Sequence, residues 1–229
     1  MSGNAGAILL AAGQGRRLGH DKSITEIAGQ PVLGHPLRTL VACPGIHQVV
    51  VTVRKDVLEP AQQWLEGTDL PSARIRFIAG GRERQDSVWE GLEALGRSVE
   101  WAVVHDAARV LTTRALIEKV MAGAQATGAA AAASRMSDTV RATDDAGRIL
   151  RLVDREGLWR METPQVVKTE VLRKGLEAAR EKKVTVTDCL AAAELAGVQG
   201  VLVESGEPNL KITVPADWAL SEVWLKKWR

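Results

Sequence analysis

The residues with the clearest chemical potential follow a short apolar run near the start of the chain. Residues 7–22 have the sequence AILLAAGQGRRLGHDK, in which the run AILLAA stops at Gly13 and Arg17 and Lys22 come soon after. A short apolar run bounded by glycine is typical of a buried strand. Glycines after a strand let backbone N–H groups face an anion, and the cations supply the opposite charge. The segment predicts a phosphate-binding turn. It matches neither the P-loop nor the dinucleotide fingerprint, and a tight turn with a solvated basic face is the alternative.

Two further segments carry polar groups directly after predicted strands. Residues 80–87 (GGRERQDS) open a predicted helix, and residues 105–109 (HDAAR) end a buried strand. The two glycines free the backbone to approach a ligand, and Ser87 can bond a base edge. A carboxylate at Asp106 can hold a ribose hydroxyl or a magnesium ion that rides on phosphates. The structural alternatives are helix capping by Asp86, Ser87 or Asp106, and for His105 a buried hydrogen bond.

These segments belong to a regular alternation of strands and helices. Strands are predicted at residues 7–12, 48–53, 74–78, 101–104, 128–133, 198–203 and 210–213, and helices at residues 31–41, 58–65, 86–95, 112–126, 170–181, 188–195 and from 215 onward. This order predicts an α/β fold, Rossmann-like, with a mostly parallel sheet and helices on both faces. Ligands bind beyond the carboxyl ends of such strands, so the three segments should meet in one crevice.

The pattern changes at about residues 136–160, where a β-hairpin arm is predicted. Val140–Thr143 and Ile149–Val153 flank the sequence DDAG, which suits a turn, and Arg155 is placed in the second strand of the arm. The exposed edge of such an arm invites a partner. We therefore predict one domain over residues 1–229 with a projecting arm.

Composition excludes several classes of protein. The chain has 229 residues and a net charge of +2 with mixed signs, which gives no indication of nucleic-acid binding. Cys43 and Cys189 are far apart and form no metal or disulfide pattern, which suits a reducing compartment. There is no apolar run of the roughly 20 residues that a membrane helix needs, and the N-terminus has no signal-peptide form. A cytoplasmic protein is expected.

An ordered set of motifs resembles one known family. LLAAGQGRR, GGRERQDSV, VVHDAAR, SDTV, VDREGLW, TPQ, VTD and NLKIT follow one another from about residue 7 to residue 220. They resemble the 2-C-methyl-D-erythritol 4-phosphate cytidylyltransferase family. The resemblance implies that CTP and the sugar alcohol phosphate give 4-diphosphocytidyl-2-C-methyl-D-erythritol and pyrophosphate. It also implies Mg²⁺ bound mainly through the CTP phosphates, and a homodimer formed through the arm.

The resemblance also implies a role for individual residues. Those matched to catalysis are Arg17 and Lys22; those matched to the nucleotide pocket are Ala11, Ala12, Gly13, Gly81, Arg84, Ser87 and Asp106; those matched to the substrate are Arg109, Thr139, Arg155 and Lys211. Asp106 is the candidate metal ligand, and Thr139 and Arg155 would act across the dimer. The attacking phosphate is already an anion, so positioning and charge neutralisation should suffice without a strong base.

The chain departs from the family pattern at a few positions, which leaves alternatives open. The sequence around Lys22 is Asp-Lys-Ser where the family usually has Pro-Lys-Gln, Val110 replaces a proline, and Glu162 stands where the family usually has leucine. The alternatives are a ribitol-5-phosphate cytidylyltransferase, a molybdopterin nucleotidyltransferase, and a nucleotide-binding scaffold without activity.

Overall fold

A seven-stranded sheet forms the centre of the computed structural model, which describes residues 4–13 and 23–228. The strands are β1 (Ala5–Ala11), β2 (Glu26–Ile27), β3 (Gln30–Pro31), β4 (Ile46–Val53), β5 (Ile75–Ala79), β6 (Trp101–Asp106), β7 (Ala129–Arg135), β8 (Val140–Thr143), β9 (Ile149–Val153), β10 (Trp159–Lys168) and β11 (Val201–Glu204). The helices are α1 (Gly34–Val41), α2 (Leu58–Glu66), α3 (Arg84–Leu95), α4 (Arg114–Thr127), α5 (Thr169–Glu181), α6 (Cys189–Leu195) and α7 (Pro215–Trp228). Within these described ranges, none of the helices combines the length and apolar character needed to cross a membrane.

The order of strands across the sheet is β11-β7-β10-β6-β1-β4-β5, and β10 is the strand that runs against the others. β1 pairs in parallel with both β4 and β6, and β4 pairs in parallel with β5. The carboxyl ends of β1, β4, β5 and β6 therefore lie at one edge of the sheet. The predicted mostly parallel α/β architecture is confirmed.

Alternate residues of β1 enter two different cores, because side chains of a strand point to opposite faces. Ala7 and Leu9 pack in a cluster with residues of α1, α2 and α4, whereas Ile8 packs in a second cluster with residues of α3, α5 and α6. All three side chains are fully buried. A strand covered on both faces has no need for alternating polar residues, which explains its continuous apolar sequence.

The predicted strand at residues 210–213 is wrong, because this segment adopts no regular structure. Ile212 is fully buried in a third apolar cluster with Leu225 of α7. Its amide donates a hydrogen bond of 2.8 Å to the Ala108 carbonyl. The segment is therefore held by burial of one side chain and by isolated bonds rather than by a ladder.

Strand β10 was not predicted, because its sequence WRMETPQVVK contains a proline, which argues against a central strand. It nevertheless lies between β6 and β7 and is antiparallel to both. The pairing with β7 shifts register between Met161 and Gln165, and Pro164 lies inside this shift. The irregular stretch thus accommodates the residue that cannot donate to a ladder.

Two helix starts also differ from expectation. Pro31 belongs to β3, and α1 begins at Gly34. The N-cap of α3 is Glu83, neither Asp86 nor Ser87; the Asp86 carboxylate instead accepts a hydrogen bond from the Glu83 amide at 3.1 Å. This return contact from the third helical residue is one half of a capping box.

The hairpin arm is present as a separate two-stranded sheet of β8 and β9. The Asp144 carboxylate accepts hydrogen bonds from the amides of Ala146 and Arg148 and so closes the turn. On β9 the side chains of Ile149, Leu150 and Leu152 are between 57% and 66% exposed. The arm therefore presents apolar surface that the chain itself does not cover.

We predict that Gly175→Ala destabilises the protein, although alanine is the better helix former by about 1 kcal/mol. A Cβ at Gly175 in α5 would lie 1.8 Å from the carbonyl oxygen of Ala192 in α6, so the two helices would have to separate. We expect the free energy of unfolding to fall by about 3 kcal/mol in urea titrations.

The matched control is Gly67→Ala, at the end of α2. There the new Cβ would meet the Trp64 carbonyl oxygen at an ordinary 3.5 Å. A change within about 0.5 kcal/mol is expected for this variant. Equal stability of the two variants would contradict the close helix contact.

Candidate active site

A cavity of about 1110 Å³ opens at the carboxyl edge of β1, β5 and β6. Its lining includes residues from all three segments singled out by sequence: Ala11, Ala12, Gly13, Gly80, Gly81, Arg82, Glu83, Arg84, Ser87 and Asp106. It also includes Arg54, Lys55, Asp56 and Lys211. The volume is slightly above the range of roughly 300–1,000 Å³ that is usual for small-molecule sites, and it suits an extended ligand. The residues of these segments that the structure describes therefore meet in one crevice, as predicted, and residues 14–22 lie outside the described residues.

One wall of the cavity is built from backbone, because two glycines there have no room for a side chain. A Cβ at Gly80 would lie 2.4 Å from the Ala12 Cβ, and a Cβ at Gly81 would lie 2.3 Å from the Asp86 Cβ. The Ser87 hydroxyl accepts a hydrogen bond from the Gly81 amide at 3.1 Å and faces the Glu83 carbonyl at 3.3 Å. The start of α3 is thereby fastened against the cavity.

The Asp106 carboxylate sits between two cations at the end of β6. One of its oxygens accepts a hydrogen bond of 2.7 Å from Lys211 Nζ, and the other lies 3.7 Å from Arg84 Nε. Burial alone would raise the pKa of Asp106, but Arg84 and Lys211 outweigh it and hold that pKa well below its usual range. Asp106 is therefore ionised at neutral pH. The half-exposed Lys211 side chain keeps access to the cavity.

His105 is part of a buried hydrogen-bond chain behind Asp106. The Asp106 amide donates to the Thr163 hydroxyl at 3.0 Å, and that hydroxyl lies 3.0 Å from His105 Nδ1. His105 Nε2 lies 3.3 Å from the Arg109 carbonyl, which can only accept, so the ring proton is assigned to Nε2. Burial lowers the pKa of His105 to about 4, so the ring is neutral at pH 7. His105 is therefore held by buried hydrogen bonds, which is the structural alternative that the sequence offered for this residue.

Residues of strand β10 pack against Arg84 and Asp106 and help to position them, a contribution that was not predicted from the sequence. The Gln165 side-chain oxygen accepts hydrogen bonds from Arg84 at 3.2 Å and from the Cys189 amide at 2.9 Å. The carboxylate of Glu162 and the hydroxyl of Thr163 are also buried. The motif TPQ was visible as a resemblance. The contacts of this motif could not be predicted, because no local sequence pattern reveals which strands lie beside it.

The structure places the predicted site residues in three groups. Those on the cavity lining are Ala11, Ala12, Gly13, Gly81, Arg84, Ser87, Asp106 and Lys211. Arg17 and Lys22 lie outside the described residues. Arg109, Thr139 and Arg155 are described but are not on the lining.

Arg109 is buried beside the cavity and does not face it. Its guanidinium donates hydrogen bonds to the carbonyls of Asn209, at 2.6 Å, and Met161, at 3.4 Å. Burial lowers the pKa of Arg109, and the carboxylates of Asp106 and Glu162 oppose that shift. In this structure Arg109 therefore supports the segment that precedes Lys211.

Thr139 and Arg155 are both exposed on the arm. Arg155 was expected within the second strand, but β9 ends at Val153, and Arg155 lies in the turn that follows. Its guanidinium donates a hydrogen bond to the Ser137 carbonyl. The arm of a chain thus holds these two side chains away from that chain's own cavity.

The fit of a magnesium ion was tested on the acidic groups of the site. Within residues 4–13 and 23–228 no cluster of three or more metal-ligating side chains is found. Asp106 is ionised and borders the cavity, so it can supply one carboxylate ligand. Mg²⁺ commonly binds through one or two carboxylates together with substrate phosphates and water. The residues fit an ion brought in largely by a phosphate ligand.

A parallel sheet with a cationic, backbone-walled cavity beyond its strand ends defines a nucleotide-binding α/β protein. Comparison with known proteins narrows this class. The model of the family described as 2-C-methyl-D-erythritol 4-phosphate cytidylyltransferase matches residues 5–227. The chain is 35% identical over 227 residues to the protein of that name from Desulforamulus reducens, covering 98% of this chain and 97% of the relative. It is 38% identical over 224 residues to that from Aeromonas hydrophila, covering 96% and 89%.

A solved structure agrees with these relatives. The crystal structure of 4-diphosphocytidyl-2C-methyl-D-erythritol synthase from Anaerococcus prevotii superposes with a TM-score of 0.84 at 26% identity, covering 97% of this chain and 98% of that one. The chain belongs to the 2-C-methyl-D-erythritol 4-phosphate cytidylyltransferase family. It is thus a nucleotidyltransferase, and the resemblance noted in the sequence is confirmed.

We predict that His105 makes stability depend on pH between 6.5 and 4. The folded-state pKa of about 4 lies below the ordinary 6.5, so the unfolded chain binds a proton first as the pH falls. Stability is complete above pH 6.5 and declines by up to about 3 kcal/mol on acidification to pH 4. Urea titrations at a series of pH values measure this loss.

His105→Gln should remove that part of the pH dependence, because glutamine does not titrate. The matched control is His47→Gln, at an exposed histidine on β4, which should keep the slope of the parent protein. A parent and a His105→Gln protein with parallel pH profiles would show that the buried ring is not the cause.

Proposed function

We propose that this protein transfers CMP from CTP to 2-C-methyl-D-erythritol 4-phosphate, with release of pyrophosphate. The observation that carries the proposal is the Asp106 carboxylate, which lies between Arg84 and Lys211 on the lining of a backbone-walled cavity. This arrangement offers separate places for a ribose hydroxyl and for phosphate groups. The alignment with the Desulforamulus reducens relative, which bears the name of this activity, covers nearly the whole length of both proteins.

In the proposed reaction a phosphate oxygen of the sugar alcohol phosphate attacks the α-phosphorus of CTP. A new P–O bond forms, and the bond from the α-phosphorus to the bridging oxygen of the β-phosphate breaks. The leaving pyrophosphate keeps that electron pair, so no proton needs to be moved. The protein's contribution is to hold two anions in line and to offset their repulsion.

The cavity side chains support this division of work. The backbone wall at Gly80 and Gly81 is suited to a planar base, because the absence of side chains there lets the ring approach the main chain, and the Ser87 hydroxyl lies beside it. Asp106 is suited to a ribose hydroxyl, since an ionised carboxylate accepts hydrogen bonds. Lys211 can turn from Asp106 to the phosphate of the second substrate, which brings a stronger negative charge.

Arg17 and Lys22 retain the catalytic roles that the family resemblance implies. Both belong to the segment that follows β1, and the last residues of β1 line the cavity. We propose that they neutralise the charge that develops on the α-phosphate, which is the usual role of cations in phosphoryl transfer.

We propose Mg²⁺ as the metal, held by Asp106 and by the phosphates of CTP. When bound, it withdraws charge from the phosphate oxygens and so lowers the barrier to attack by an anion. The residues of the chain align the two substrates around it.

We further propose a homodimer in the cytoplasm, in which each arm completes the partner's site. The exposed Ile149, Leu150 and Leu152 supply apolar surface for such contact. Thr139 and Arg155 lie off their own chain's cavity lining, which supports their action in trans. The buried thiols of Cys43 and Cys189 are free, in keeping with a reducing compartment.

The proposal is tested by pyrophosphate release from CTP with a panel of acceptors. We expect release with 2-C-methyl-D-erythritol 4-phosphate at a rate at least about a hundredfold above that with ribitol 5-phosphate. An acceptor whose hydroxyl groups are missing or displaced leaves polar groups of the site without hydrogen-bond partners. Release with ribitol 5-phosphate alone would overturn the acceptor assignment. If no pyrophosphate is released with any of the acceptors, the result would favour the nucleotide-binding scaffold without activity.

Action of the arm in trans predicts complementation between two inactive variants. Arg155→Ala and Lys211→Ala should each have low activity alone. If Arg155 acts in trans, a mixed dimer contains one intact site, and random exchange of equal amounts should restore about a quarter of the parent activity. No recovery after subunit exchange, checked by native mass spectrometry, would place Arg155 in cis.

A further inference from the structure

A buried carboxylate lies behind the cavity and touches the segment that carries Lys211. Glu162 on β10 is 4% exposed and is not on the cavity lining. One of its oxygens accepts a hydrogen bond of 2.7 Å from the Ser205 hydroxyl and one of 2.9 Å from the Asn209 side-chain amide. The other oxygen lies 3.8 Å from a guanidinium nitrogen of the largely exposed Arg160. A buried carboxylate is costly unless it is bonded in this way.

The segment between Ser205 and Lys211 has no ladder of its own to fix its position. It is fastened at residue 209, whose side-chain amide also donates to the Thr163 carbonyl at 2.8 Å and whose own carbonyl accepts from Arg109 at 2.6 Å. The next fastening is the Ile212 amide, which donates to the Ala108 carbonyl at 2.8 Å. Lys211 lies between these two anchors.

We propose that Glu162 is a positioning residue that sets the place of Lys211 through Asn209. The Glu162 carboxylate accepts hydrogen bonds from Asn209 and Ser205 on the side of the segment away from the cavity. These bonds fix the backbone next to Lys211, whose Nζ lies 2.7 Å from the Asp106 carboxylate. Glu162 touches no reacting group itself. Its importance for the acceptor rests on the proposed function, in which Lys211 grips the acceptor phosphate.

The proposed link has a directional consequence for kinetics. Glu162→Leu removes the acceptor of the Ser205 and Asn209 hydrogen bonds, so the Lys211 segment is held less firmly, by the Thr163 and Arg109 contacts of Asn209, while the Gly80–Gly81 wall and Ser87 stay as they are. We expect KM for the acceptor to rise about tenfold, with KM for CTP within about twofold of the parent. Glu162→Gln keeps one acceptor oxygen and should restore most of that loss.

A double-mutant cycle separates positioning from a general structural effect. In a Lys211→Ala background the lysine is absent, so Glu162→Leu should change kcat/KM for the acceptor by less than about twofold. The same tenfold factor in both backgrounds, or an equal rise in the two KM values, would overturn the proposal. The matched control is Glu204→Leu, at an exposed glutamate one residue before Ser205, which should behave as the parent.

A second readout does not depend on which acceptor the enzyme uses. An amine-reactive reagent, with peptides counted by mass spectrometry, measures the labelling of Lys211 against exposed Lys174 on α5. Glu162→Leu should raise the relative labelling of Lys211 several-fold, because its ion pair with Asp106 loosens, and Glu204→Leu should not. Unchanged labelling would refute the positioning role. An inactive parent with the expected labelling would refute the proposed function alone.

Discussion

The site depends on one buried negative charge, the carboxylate of Asp106. A carboxylate at the end of a central strand, withdrawn from water, is stable only when opposite charges and hydrogen-bond donors approach it. Arg84 comes from the start of α3, and Lys211 comes from a segment 105 residues after Asp106 in the chain; both approach the carboxylate. The same attraction that stabilises the folded chain leaves two cations beside a cavity. Phosphate groups can therefore bind where the cations are already gathered.

The antiparallel strand β10 makes that arrangement possible. It is inserted between β6 and β7, and its irregular middle brings Thr163 against the Asp106 amide and Gln165 against Arg84. A regular strand would alternate its side chains between the faces, and consecutive polar residues could not all reach the strand end. The register shift at Pro164 thus serves the site as well as the sheet.

Much of this could be predicted from the sequence where a signal was local. The apolar runs of β1 and β6 and the Gly-Gly pair before α3 indicate buried strands and a turn, and they correctly predict that the described residues of the three segments meet at one edge. Strand β10 could not be predicted, because proline and glutamate oppose a central strand unless the neighbouring strands accommodate them. The segment around Lys211 contains the residues of a strand, yet it adopts no regular structure, and Ile212 is buried in a cluster with Leu225 of α7.

The individual site residues divide in the same way. Asp106 follows a predicted strand and Ser87 lies at the start of a predicted helix, so their place on the cavity could be anticipated. Arg109 has the residue type of a ligand contact, but its guanidinium bonds to backbone carbonyls, and only the fold reveals which carbonyls are near. Arg155 was assigned to a strand that ends two residues before it. Side-chain direction in such places is set by tertiary contacts that no spacing encodes.

The backbone wall formed by Gly80 and Gly81 has a consequence for how such an enzyme can change. Its shape is determined by main-chain atoms, which a point mutation cannot exchange for others, and a Cβ at either glycine would collide with Ala12 or Asp86. Another part of the lining is formed by side chains such as that of Lys211, each replaceable by a single codon change. Selection can therefore retarget the acceptor in small steps, whereas the choice of nucleotide is bound to the fold itself.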